Sequence, residues 1–540
     1  MSRLARTAAI SSIAVMGSRV MGLVREQIFA YFFGASREYD AFLTAFRIPN
    51  LLRDLLAEGA LSAAFVSVFS KELATDGKKR AFHLANLVTN VLVVVLVIAS
   101  IAGIFFAEPL VRAIAMGFDP EKAALAAMLT QIMFPFILFV GLAALAMGML
   151  NAQNFFALPQ SASTFFNITS ILVGLGSAFL LAPDYMLALW RQEDGAPGGA
   201  ERAMVGMAIG TLMGGLVQWL IQMPTLRKTG YRWKPVVDWK DPGLRRILLL
   251  MGPAIIGAAA VQLNVFVNSN FASLLGDKPI SWLNYAFRLM QFPLGVFGVA
   301  IMAASLPVLS RHLAAKDYPG FGKTLTSSLE LVVLLTLPAA VGLAVLGEPI
   351  LRLIYEQGRF LPSDTLATAA ALAAYAFGLP GYAALKIVQP AFITLDDART
   401  PMLVSLSTVA GNIIVNYLFI MVLGWGHVGL AASTSIMATL NLVVLVLILE
   451  RRKPTLNRAR LISQISRIMV ASAIMGLAIY YGYQWMQDQG FDIGKLNAGI
   501  QVAVLVPGAM AIYAVTARLL GVAVLDDAYQ MIRRRLKRGS

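Results

Sequence analysis

Cysteine is absent from the 540 residues, and histidine occurs only at His83, His312 and His427. These absences exclude disulfides, thiolate metal ligands and cysteine nucleophiles, and leave too few ligands for a histidine zinc centre. Charge is scarce too: 14% of residues carry it, against about 25% in an average soluble domain. Acids are the scarcer sign, 29 against 44 Lys and Arg, for a net charge of +15. In a soluble protein that excess would suggest nucleic acid. Here 58% of residues are hydrophobic and mean hydropathy is +0.72, so no nucleic-acid partner is expected. No soluble fold of this length could cover so much apolar surface.

Long apolar runs fill the chain. A helix crossing roughly 30 Å of hydrocarbon needs about 20 apolar residues. Runs bounded by charge, Pro and Gly predict fourteen helices, at 7–32, 39–70, 80–107, 122–152, 158–182, 203–227, 243–275, 280–312, 322–347, 364–392, 398–423, 426–451, 461–486 and 497–522. The N-terminus is basic then apolar, but Arg19 interrupts it and no clean cleavage site follows. It reads as a retained first span rather than a signal peptide. Loops and adjoining helix ends on the N-terminal side hold 27 Lys and Arg, against nine on the other side. The positive-inside rule then places both termini in the cytoplasm. The basic tail from Arg533 to Arg538 reads as a topology anchor in contact with membrane lipids.

The chain repeats itself at a distance near 240 residues. Ala45-Phe46-Arg47 recurs as Ala286-Phe287-Arg288, Leu142-Ala143-Ala144-Leu145 aligns with Tyr382-Ala383-Ala384-Leu385, and Pro159 matches Pro401. Val205-Gly206-Met207-Ala208 matches Val428-Gly429-Leu430-Ala431 at a shorter offset, with the shortfall in the loop from Asp184 to Arg202. Six helices is an even number, so the halves form a parallel repeat about an axis along the membrane normal. The expected fold is an all-α polytopic membrane protein with two pseudo-symmetric six-helix lobes and two extra helices. Its parts are an N-lobe over 1–227, a basic cytoplasmic linker over 228–242, a C-lobe over 243–451, and the extra helices with a basic tail over 452–540.

Ionisable residues within spans are the informative ones. The first span holds Arg19, Arg25 and Glu26; the second holds Asp40, Arg47, Arg53, Asp54 and Glu58; span eight has Arg288 and span ten Lys386. Each costs roughly 2.5–3.5 kcal/mol at a helix centre, so they should face one another or a wet cavity. At 100° per residue, Arg19 and Glu26 lie about 20° apart, and Asp40, Arg47, Asp54 and Glu58 within about 40°. Pro49 should kink the second span and redirect Arg53. One reading is internal neutralisation, since the first two spans balance four Arg against four acids. The other is an anion site, because Arg outnumbers Lys and Arg288 and Lys386 have no acid in their own spans. Asp40 and Glu58 individually read as orienting partners of arginines.

Other features point less sharply. Gly322-Lys323-Thr324 resembles the end of a P-loop, but Asp317 stands where the first glycine is required. Asp396-Asp397 reads as structural, and Asn264, Asn268, Asn412 and Asn416 offer oxygens to a cation or, as is commoner, hydrogen bonds between helices. Tyr480, Tyr481, Tyr483 and Trp485 read as an interfacial aromatic belt. No poised acid–base pair or metal cluster is visible, so an enzyme is not expected.

The stretches Ser18-Arg19-Val20-Met21-Gly22-Leu23-Val24-Arg25, Phe33-Gly34-Ala35, Asp40-Ala41-Phe42, Arg47-Ile48-Pro49-Asn50-Leu51-Leu52-Arg53 and Ala57-Glu58-Gly59-Ala60 resemble the MurJ (MviN) family of the MOP exporter superfamily. The likeness continues through Gly252-Pro253-Ala254-Ile255, Arg288-Leu289-Met290, Phe292-Pro293, Gly295-Val296 and Thr400-Pro401. The resemblance implies a bacterial inner-membrane flippase moving lipid-linked disaccharide-pentapeptide diphosphate (lipid II) to the periplasmic leaflet for peptidoglycan synthesis. It implies that Arg19, Arg25, Arg53 and Arg288 line a central cavity, with Asp40 and Glu58 in the same region. Glu26, Arg47 and Lys386 join them as supporting charges on the residue-level reading. The resemblance implies no bound cofactor, leaves coupling to a monovalent cation open, and places cell-wall synthesis proteins among candidate partners. Asp54 departs from the family pattern, where a second basic residue is common, and Phe287 from an acid before the arginine. A flippase for another polyprenyl-diphosphate saccharide, a MATE-like antiporter and a cell-wall scaffold stand as alternatives.

Overall fold

The computed structural model describes residues 3–54, 61–191, 193, 198–452, 456–491 and 494–523. Glu58 and the basic tail lie outside the described residues. Every regular element among those described is helical. The chain runs through α1 (Arg3–Phe33), α2 (Arg37–Arg53), α3 (Ser62–Thr75), α4 (Gly77–Phe105), α5 (Ala107–Ile114), α6 (Pro120–Met133) and α7 (Phe136–Ala152). Then come α8 (Ala157–Leu181), α9 (Pro183–Trp190), α10 (Gly199–Leu220), α11 (Met223–Lys228), α12 (Pro242–Ser273), α13 (Pro279–Pro293) and α14 (Val299–Ala314). The last are α15 (Tyr318–Val345), α16 (Gly347–Ile354), α17 (Pro362–Thr394), α18 (Arg399–Tyr417), α19 (Gly426–Arg452), α20 (Arg458–Asp488) and α21 (Lys495–Leu519).

Among the described residues, eleven helical segments are long and apolar enough to cross a membrane, with α6–α7, α10–α11 and α13–α14 each counting as one. The sequence predicts fourteen; α1, α2, α3 and α12 are not among the eleven. Their surfaces fit hydrocarbon rather than water: Leu180, Leu249 and Leu519 are 83%, 76% and 81% exposed. Helix ends obey local chemistry. Gly34 at φ +63° closes α1, its N–H reaching Phe29 and Ala30 carbonyls. The Ser36 hydroxyl accepts from Tyr39 N–H to start α2, and Asp119 before Pro120 caps α6. Helix α2 runs through Pro49 to Arg53.

The repeat is visible in the order of the helices. Starts of α1, α2, α4, α6, α8 and α10 recur in sequence as those of α12, α13, α15, α17, α18 and α19. Two short helices extend it where the sequence reading placed only loops. Glu108-Pro109-Leu110 with Arg112 on α5 returns as Glu348-Pro349-Ile350 with Arg352 on α16, and each pair closes an i,i+4 ion pair, at 2.8 and 2.7 Å.

Packing divides the chain into two compact units, Met1–Ser281 and Trp282–Ser540. In the first, Phe29 stacks on Tyr39 at 5.1 Å and meets Phe42 at 4.9 Å. Helix α12 packs there against α3, α4 and α5. Helices α8 and α10 approach so closely that a Cβ on Gly210 would lie 2.4 Å from the Gly174 Cα. Small residues allow such backbone contact in membrane helices. Gly210→Ala should therefore force the pair apart, lowering stability by about 1–3 kcal/mol; an unchanged melting temperature in detergent would refute this.

In the second unit, Leu309, Leu325, Val332, Val388, Leu445 and Leu449 form a core among α14, α15, α17 and α19. The extra helices are pinned to it: the Arg460 guanidinium donates to both oxygens of fully buried Glu330, at 2.9 and 3.1 Å. Tyr480, Tyr481 and Trp485 face outward as a belt residue should, whereas Tyr483 is buried beside Leu346 and Met475. Gly322-Lys323-Thr324 lies within α15 rather than in a phosphate-cradling loop.

Candidate functional site

In the first unit, α1 and α2 carry the intramembrane charges side by side. Arg25 is 8% exposed; its guanidinium lies 3.5 Å from Glu26 and 5.4 Å from the centroid of the Phe166 ring on α8. Glu26 accepts the Tyr39 hydroxyl at 2.7 Å, tying α2 to α1. Arg19, nearly two turns earlier on the helix, is half-buried and has no carboxylate within ion-pair distance among the described residues. On α2, Arg47 donates to Ser269 Oγ of α12 at 2.6 Å. Arg53 reaches its neighbour Asp54 at 2.8 Å, and Gln262 of α12 donates to the same carboxylate at 3.4 Å. The departure at Asp54 thus gives Arg53 a local acid.

Asp40 behaves differently from expectation. It is fully buried, and its partner is a lysine, Lys122 at the start of α6, 3.1 Å away and itself 2% exposed. The carboxylate also accepts the N–H groups of Lys278 and Ser281, at 2.7 and 2.8 Å. Three backbone or cationic donors on one carboxylate make a fixed, structural anion rather than an orienter of arginines. Lys122 in turn meets Asp277 at 2.8 Å. Beside it Arg37 bonds both oxygens of Asp119 and lies 3.7 Å from Asp277. The Arg37 hydrogen bond holds the Asp119 carboxyl down at about 2, helped by the Lys122 and Glu121 amides.

None of Arg37, Asp119, Lys122 or Asp277 stood out in sequence, because each sits at the edge of an apolar run and reads as a loop charge. One signal was available: Lys122 and Asp364 occupy repeat-related positions. Asp364 is likewise fully buried, accepting Trp282 Nε1–H at 3.0 Å in the second unit.

Also in the second unit, Arg288 on α13 is exposed, following Phe287, whose ring meets Tyr375 at 5.3 Å. Lys386 is exposed on α17 between buried Leu385 and Ile387, with no ion-pair partner among the described residues. Asp397 caps α18, accepting the Thr400 N–H and hydroxyl at 3.0 and 2.7 Å. Asn416 accepts from Ser433 and joins α18 to α19. No group of three or more His, Asp or Glu among the described residues is placed to hold a metal.

A family model described as "Lipid II flippase MurJ" matches residues 29–497. The chain belongs to the MurJ family. The probable lipid II flippase MurJ of Vibrio cholerae is 33% identical over 535 residues, 97% of each chain. The lipid II flippase MurJ of Burkholderia cenocepacia is 34% identical over 496 residues, 90% of this chain and 92% of that one. A solved lipid II flippase MurJ in an inward closed conformation superposes with a TM-score of 0.77 at 26% identity, covering 95% of this chain and 99% of that one. An inward-facing multidrug resistance MATE transporter of the MOP superfamily shares the fold, with a TM-score of 0.67 at 15% identity over 83% and 98% of the two chains. This chain is thus a multi-pass membrane protein, helical in every regular element among the described residues, in a family of lipid II flippases.

Proposed function

We propose that this chain moves lipid II from the cytoplasmic to the periplasmic leaflet by alternating access, its diphosphate held by Arg19, Arg25, Arg53 and Arg288. The observation that carries this is Arg19: a guanidinium half-buried in a membrane helix with no acid in reach among the described residues. Such a charge is costly in hydrocarbon unless water or an anion meets it. Arg25 and Arg53 add guanidiniums whose carboxylates are their own chain neighbours, an arrangement that keeps them charged and aimed. Arg47, Glu26 and Lys386 complete the polar lining.

The diphosphate is the costliest part of the lipid to carry through hydrocarbon, and charge-assisted hydrogen bonds replace its water. The sugars and peptide travel in the same wet space, while the polyprenyl tail stays in lipid or along α20 and α21. Residues 1–227 and 243–451 act as the two lobes, joined by the basic linker 228–242. With both termini cytoplasmic, a membrane potential negative inside drives the anionic headgroup outward, by about 2.3 kcal/mol per charge per 100 mV. No nucleotide is required.

A leaflet-accessibility assay tests the proposal. Vesicles carrying lipid II in both leaflets are treated with an impermeant reagent that modifies the headgroup. Protein-free vesicles should react to about half; vesicles holding the purified protein should react to completion. A half-reacted pool with folded protein present would overturn the proposal.

A further inference from the structure

A second polar–apolar site lies in the first unit, away from the intramembrane arginines. The segment from Tyr231 to Val237, between α11 and α12, is folded back along α4 by two asparagines one turn apart. Asn86 donates to the Arg232 carbonyl at 3.2 Å and accepts the Lys234 N–H at 3.1 Å. Asn90 donates to the Lys234 and Val236 carbonyls, both at 2.8 Å, and accepts Trp233 Nε1–H at 2.9 Å. Tyr231 is buried at the base of this strap, edge-on to Phe82 at 5.6 Å.

Beside the strap is a cavity of about 1220 Å³ whose lining includes Val93, Val94, Leu142, Trp219, Arg227 and Arg232. That exceeds the roughly 300–1,000 Å³ of a typical small-molecule pocket. Its two ends differ in chemistry. Towards the membrane interior the floor is aliphatic, from α4 and α7. At the basic end Arg227 and Arg232 are exposed, and neither has a carboxylate within ion-pair distance among the described residues. Trp233 and Trp239, 60% and 58% exposed, stand on the same strap and loop, where indoles favour the headgroup level of a bilayer.

An aliphatic trough capped by unneutralised guanidiniums and indoles fits one class of molecule: a chain-bearing anion lying along a membrane helix. We infer that this groove binds an anionic phospholipid, with its phosphate on Arg227 and Arg232 and an acyl chain along Val93, Val94 and Leu142. Two guanidiniums suit a phosphodiester because each can offer paired N–H donors to its oxygens. Bound there, the lipid would brace the strap against α4 on the side of the membrane that carries the basic linker.

Native mass spectrometry of the purified full chain tests this, from micelles containing equal phosphatidylglycerol and phosphatidylethanolamine. The wild type should keep one tightly held phosphatidylglycerol as collision energy rises. Arg227→Gln with Arg232→Gln should lower its retention about tenfold, equivalent to about 1.4 kcal/mol. Val94→Trp, which fills the trough and leaves both arginines in place, should lower it as well. Equal retention by either variant, or wild-type retention of phosphatidylethanolamine as strong as of phosphatidylglycerol, would overturn the inference. The readout is lipid occupancy and not transport, so it stands apart from the identity of the cargo.

Discussion

Alanine at Arg19, Arg25, Arg53 or Arg288 is expected to abolish growth of bacteria depleted of their own lipid II flippase, although each variant inserts at normal levels. A hydrogen bond to a charged group contributes about 1.5–3 kcal/mol. A guanidinium offering two such bonds to the diphosphate in transit is therefore worth about 3–6 kcal/mol, or two to four orders of magnitude in rate. Lysine should rescue poorly, since an ammonium cannot make the paired contact that the planar fork makes. Arg47→Ala is the control: its guanidinium is engaged by Ser269, and a milder defect is expected. Membrane levels measured alongside growth separate failed transport from failed folding. Normal growth with any two of the four arginines removed would point to a scaffold and end the transport reading of the site.

The largest stability effect should come from Lys122. Lys122→Met leaves the Asp40 carboxylate fully buried without its cation, and removing one partner of a buried pair costs about 3–5 kcal/mol. The lower end applies, because Ser281 and Lys278 still donate to Asp40. Asp40→Asn should cost less, since Lys122 keeps Asp277 at 2.8 Å. The double variant should be more stable than the sum of the two losses predicts. Thermal melts of the four proteins in one detergent provide the cycle. Strict additivity would show that the two groups do not depend on each other.

Much of the architecture was legible because a membrane imposes one severe rule: long apolar helices with charges at their ends. The duplication was legible through matches such as Arg47 with Arg288. The short helices α5 and α16 were missed because eight-residue amphipathic turns carry too few apolar residues to register as spans. Yet Glu108-Pro109 and Glu348-Pro349 had the same offset as the longer elements. For the site, the charge inventory of α1 and α2 was readable, but the pairings were not. Helical angles set Arg19 and Glu26 on one face, whereas in the fold Glu26 serves Arg25 and Tyr39. Asp40 was grouped with arginines and proved to belong to Lys122, 82 residues away.

Membrane residence, the repeat and the family follow from the order of residue types, since hydropathy and local motifs act over one or two dozen neighbouring positions. Which carboxylate neutralises which cation is a different matter. A hydrogen-bonded ion pair needs its charged atoms within about 4 Å, and only the packing of α6 beside α2, with the loop after α12 laid against both, brings such groups within that range. The strap over α4 has the same origin: Asn86 and Asn90 are ordinary polar residues until the chain returns more than 140 positions later to hand them its backbone.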